Sequence, residues 1–150
     1  SYTLAGMELA FTGHYDEAMG LARSVGESTN LVWLFSLNPK IFLDWQALDE
    51  RKRWNKYRPA EVRRRIIGLN SPVPIDEERY LVLSTETAHI HPESMPQSYN
   101  SLVPTLGGFY QEAGFIAAVN EIAAPISILA GTAIKLLPNL PNDKRENIHK

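Results

Sequence analysis

The 150 residues carry 44% hydrophobic side chains, no cysteine and a formal net charge of −2. One domain of ordinary size follows, large enough to close a core without staples, while the lack of cysteine excludes a disulfide framework, thiolate metal sites and a cysteine nucleophile. The mild net charge conceals a segregation: residues 51–65 hold eight of the fifteen Lys and Arg against the single acid Glu61, an excess of +7 against −9 over the rest, and a field of that kind attracts polyanions wherever its charges stand together.

In chain order nearly every element reads as helical. Residues 4–11 form a short apolar helix closed by Gly13, and Asp16 can cap the next, which runs to about Leu37. Its stripe of Ala18, Leu21, Ala22, Val25, Val32 and Phe35 follows helical spacing, and 31–35 is apolar on every side, the mark of a helix surrounded by others. Pro39 opens a helix with Ile41, Trp45 and Leu48 on its inner face, ending near Trp54. Pro59 opens another, where Val62, Ile66 and Leu69 face the core, Arg64 points away, and Arg63 and Arg65 flank the stripe. Gly68, Asn70, Pro72 and Pro74 break it, and Asp76 caps a helix through Tyr80 and Leu83 toward His89.

The last helix is predicted from about Pro104, through a kink near Pro125, to a stop before Pro138. Its segment 115–137 approaches membrane-spanning length. Glu121 would sit well inside such a span, where a charge is costly, so a central core helix and no membrane are expected. The fold predicted is an all-α, single-domain, up-and-down bundle of about five to six helices over residues 1–138, with a long central C-terminal helix and a polar, frayed tail over 139–150. Ser1-Tyr2-Thr3-Leu4-Ala5 carries neither a basic flank nor a long apolar run, so no cleavable signal is read. A Ser start suggests a trimmed or partial chain, and a cytoplasmic location is expected.

Two patches carry a resemblance. The run Gly13, Glu17-Ala18, Leu21-Ala22-Arg23-Ser24, Glu27 and the later Tyr80, Leu83-Ser84, His89-Ile90-His91-Pro92 resemble bacterial all-helical domains related to the HEPN superfamily. The resemblance implies a four- or five-helix bundle, frequent dimerisation, and RNA or nucleotide binding in a toxin or phage-defence setting, with ribonuclease activity in many members. The ribonuclease motif of that superfamily is an Arg followed after four to six residues by a His. Here nine residues separate Arg79 from His89 and three separate Arg145 from His149, so the resemblance speaks for the fold more than for an activity. His89 and His91, the latter favoured by the following Pro92, are the catalytic candidates.

The residues also speak for themselves. Arg51, Lys52, Arg53, Lys56, Arg58, Arg63, Arg64 and Arg65, interleaved with Trp54 and Tyr57, would bind phosphates while the aromatics stack on unpaired bases, with Arg53, Arg58 and Arg64 expected at exposed positions. The plainer reading is two solvated helix ends around Pro59. Arg23 and Glu27, one turn apart, suit a partly buried structural ion pair. Glu86-Thr87-Ala88-His89 and Glu146-Asn147-Ile148-His149 match the Glu-x-x-His spacing of helical di-iron proteins at a frequency expected by chance, so no metal site and no cofactor is predicted. Three classes stay open: an RNA- or nucleotide-binding domain, a non-enzymatic interaction module meeting an acidic protein partner, and a carboxylate-bridged metalloprotein. A homodimer is expected, through part of 107–124 or 31–35.

Overall fold

The computed structural model describes residues 1–87, 99–100, 103–104 and 108–136. They form an all-helical bundle: α1 (Tyr2–Phe11), α2 (Tyr15–Leu37), α3 (Pro39–Ala47), α4 (Glu50–Tyr57), α5 (Pro59–Gly68), α6 (Glu77–Thr87) and α7 (Glu112–Leu136). The remaining regular structure among the described residues is a two-residue antiparallel ladder, Tyr99–Asn100 with Val103–Pro104.

The boundaries follow local chemistry. α1 closes on Gly13 at φ 80°, where the His14 and Gly13 amides donate back to the carbonyls of Leu9 (2.8 Å) and Ala10 (3.2 Å); a left-handed residue satisfies two orphan carbonyls there. α2 begins at Tyr15 with His14 in the cap position, so Asp16 lies inside the first turn and is not the cap. Asn38, Asp49 and Asp76 each turn a side-chain oxygen onto a first-turn amide, of Lys40, Lys52 and Arg79 respectively. The single helix predicted over 39–54 is therefore two, because Leu48 and Asp49 adopt extended backbone and Asp49 restarts the chain as a cap. α5 closes on Asn70 at φ 53°, which leaves Leu69 43% exposed and outside the core.

α2 is the axial helix, touching α1, α3, α5, α6 and α7. Around its first half, Tyr15, Ala18 and Ala22 pack with Ala10 of α1 and with Ala118 and Ile122 of α7. Around its second half, Leu34 packs with Tyr57, Val62 and Ile66 of α4 and α5, flanked by Trp33, Ile41 and Trp45. Phe35, Phe42 and Trp45 pack in a triad with centroids 5.3–6.3 Å apart, Phe42 stacked on Trp45 and Phe35 inclined to both.

α7 starts at Glu112, eight residues later than predicted, where the buried Tyr15 hydroxyl accepts the Gln111 amide at 2.7 Å. It continues through Pro125. Thr29, fully buried on α2, donates its hydroxyl to Val25 O at 2.9 Å and to Pro125 O at 3.1 Å, and Arg79 of α6 forms an ion pair with Glu121. By length and composition α7 suffices to cross a membrane, with a mean hydropathy of 1.7. Ala118, Ile122, Pro125 and Thr132 are buried along it, while Ile116 and Ile134 are 50% and 68% exposed. α7 packs one face on α1 and α2 and turns the other outward.

Candidate nucleic-acid interface

The basic segment 51–65 occupies α4, the bend at Arg58 and the first two turns of α5. Its cations divide into those that build the fold and those that face outward. Arg53 turns inward, donating Nε to Trp45 O (3.1 Å) and Nη2 to Leu48 O (2.8 Å) while its guanidinium lies 4.6 Å from the Trp45 ring centroid. It caps the C-terminus of α3, where the last carbonyls lack amide partners. Lys56 pairs with Asp44 at 2.5 Å, and the Tyr57 hydroxyl donates to the same carboxylate oxygen at 2.6 Å. Burial first, and then this bond to Asp44, push the Tyr57 hydroxyl up to about 12; the Lys56 bond, followed by the Tyr57 bond, holds Asp44 below its ordinary value.

Arg63 is 8% exposed, its guanidinium 4.6 Å from the Tyr80 ring, and Arg65 lies 4.9 Å from the Tyr57 ring. Arg63 Nη1 and Arg65 Nε are buried with no hydrogen-bond partner among the described residues. The aromatic faces supply the compensating negative potential. Arg63 is thereby removed from the phosphate-binding set, and Arg53 from the exposed one.

What remains outward is ordered. Arg51 and Trp54 stand one turn apart on α4, and Arg58 follows at the bend that ends the helix, in extended backbone. All three are exposed, Trp54 by 71%. On one side of Trp54 opens a cleft of about 690 Å³ lined by Trp45, Asp49, Glu50, Arg51, Arg53 and Tyr57. A smaller hollow of about 190 Å³ is bounded by Glu27, Asn30, Tyr57, Arg58 and Val62, and Trp54 and Tyr57 line both spaces. Arg58 and Arg64 share Glu61 as ion-pair partner, and the Arg64 bond, the larger influence, lowers that carboxyl. Lys52 is exposed and paired with Asp49 at 3.0 Å; Trp45 was read from sequence as core, and the cleft adds it to the lining.

Arg23 and Glu27 pair at 3.1 Å, half-buried, and Arg23 also donates to the Tyr80 hydroxyl at 2.8 Å. This links α2 to α6 and places two guanidiniums, of Arg23 and Arg63, against one ring. His89 and His91 lie outside the described residues, as do His149 and the tail from 139. Among the described residues no group of three His, Asp or Glu could hold a metal ion. No family model, no curated protein and no solved structure matches the chain.

Proposed function

We infer that the chain is a HEPN-like helical domain that binds single-stranded RNA along the outer face of α4. The observation that carries this reading is Trp54, largely exposed between two hollows, with Arg51 one turn before it on α4 and Arg58 at the bend that follows the helix. An unpaired base would stack on the indole with a phosphate near each guanidinium. Arg58 and Arg64 would exchange Glu61 for phosphate. Arg53, Lys56, Tyr57 and Arg65 act as positioning residues that hold α4 against α3 and α5, and Arg63 ties α5 to Tyr80 of α6. No catalytic step is assigned.

A second reading follows from Asp49 and Glu50, which line the same cleft as Arg51 and Arg53 and balance their charge. Exposed Trp beside Tyr and Arg is also the composition of protein-binding hot spots. A partner protein presenting both an acidic and a basic side chain would suit that cleft better than a uniform polyanion.

Titrating a fluorescent oligouridine with the protein separates the two. RNA binding should fall steeply with added salt, weaken by about 1–3 kcal/mol in Trp54→Ala, and vanish in Arg51→Glu/Arg58→Glu with the circular dichroism spectrum retained. No salt-dependent binding at low ionic strength would discard the RNA reading in favour of the interaction module.

A further inference from the structure

The outward face of α7 has an internal symmetry. Its exposed residues include Ala113, Ile116, Asn120, Ser127, Gly131 and Ile134, with Ala124 at the middle. They recur at an average of about 3.5 residues, the period of a seam between two paired helices. No charged side chain interrupts this row. Reflected about a point between Ala123 and Ala124, three pairs of positions exchange, each of opposite bulk or like polarity: Ala113 with Ile134, Ile116 with Gly131, and Asn120 with Ser127, while Ala124 falls on its half-buried neighbour Ala123. A Cβ added at Gly131 would meet nothing within 4 Å, so that position is an open hole on the surface.

We propose that α7 pairs antiparallel with α7 of a second copy of this chain, about a two-fold axis crossing between Ala123 and Ala124. The partner is a second copy because a two-fold interface must be self-complementary, and this row is. Ile116 of each protomer enters the hole over Gly131 of the other, and Ile134 covers Ala113. Asn120 faces Ser127, which keeps the two polar side chains of the row together in the seam. A parallel pair would instead oppose Ile116 to Ile116 and Gly131 to Gly131, a bulge followed by a void. A bilayer fits less well: Asn120 and Ser127 would enter hydrocarbon, and Glu121, tied to Arg79, sits one residue from the row. The apolar surface continues past its N-terminal end, where Phe11 and Tyr110, both more than 60% exposed, lie against Phe115.

The absence of cysteine allows a direct test. Light scattering at roughly 100 µM protein should give a dimer, and Ala124→Glu, which sets two carboxylates face to face at the axis, should weaken it about tenfold or more. Ala124 is exposed, so the variant should melt like the parent; Gly131→Gln, which fills the hole, provides a second, uncharged disruption. Under mild oxidation, a mixture of Ala113→Cys and Ile134→Cys chains should form the mixed disulfide, while each variant alone stays unlinked. A monomeric parent, a dimer that survives both disruptions, self-linking of Ile134→Cys, or a monomer that sediments with phosphatidylcholine–phosphatidylglycerol vesicles would each overturn the proposal, the last assigning the face to lipid.

Discussion

The two halves of α2 solve the packing problem in opposite ways. Toward its N-terminus the contact side chains are mostly alanine, with Ala18 and Ala22 meeting Ala10 and Ala118. Small residues bring helix backbones together and leave the outer surfaces of α1 and α7 plain and apolar. Toward its C-terminus, Leu34 meets Tyr57, Val62 and Ile66 beside a cluster of three aromatics. Large side chains on short helices cannot tile without leaving spaces. The two clefts beside Trp54 lie at this end, as does an apolar hollow of about 300 Å³ among Leu31, Val32, Phe35, Phe42, Trp45 and Leu136. The alanine half thus offers a smooth face for pairing, and the aromatic half offers concavities for ligands.

This contrast predicts opposite sensitivities. The largest effect is expected in the aromatic half by truncation: Ile66→Ala, at a fully buried site, should cost about 2–5 kcal/mol in denaturant unfolding. In the alanine half enlargement is the damaging change, and Ala18→Leu should cost about 1–3 kcal/mol by the same measurement because no neighbour can recede. An equal or smaller penalty for truncation at Ile66 than for enlargement at Ala18 would erase the ordering. Next comes Arg53→Met, which keeps most of the stacking bulk over Trp45 but removes two charge-assisted bonds to the end of α3; about 1–2 kcal/mol should be lost, in a partly exposed setting.

The smallest change is a titration. The Tyr57 hydroxyl should ionise at about pH 12, above the ordinary tyrosine value of 10.0, when tyrosinate absorbance is followed, and Asp44→Asn should bring it down toward that value. Because its folded value is raised, the stability linked to Tyr57 is complete below pH 10 and is lost as pH rises through about 12. Asp44 runs the other way: its value is lowered, so its contribution is present above pH 3.8 and lost as acid protonates it. A Tyr57 that ionises at the ordinary value would mean that the α3–α4 corner is open in solution.

The helical class and most element starts were legible because Pro39, Pro59, Gly13 and Asp76 are punctuation with a local cause. The break between α3 and α4 carried a fainter signal, Asp49 followed by Glu50 with Lys52 three residues on, and no proline or glycine announced it. Gly107-Gly108 could have moved the start of the last helix past Pro104. Within the candidate interface, the cationic run was visible as composition, but its division was not. Whether an arginine is free depends on partners such as Asp44 for Lys56 and Tyr80 for Arg63, which helix packing brings from 12 and 17 residues away. The pairing of Arg51 with Trp54 one turn on was in the sequence, but the end of α4 at Tyr57 puts Arg58 beyond the helix, where helical spacing no longer sets its direction.

An alanine interface has little to resist sliding, since a helix shifted by one turn meets much the same low relief. The hydroxyl of Thr29 on the carbonyl of Pro125, and Arg79 on Glu121, supply that resistance: each is a polar pairing with one satisfactory partner at one height. They act as a detent that fixes α7 axially against α2 and α6. A shift by one turn, about 5.4 Å, would break both and lift Ile122 from its buried seat against Gly6, so every residue on the outer face of α7 is held at one height relative to α1.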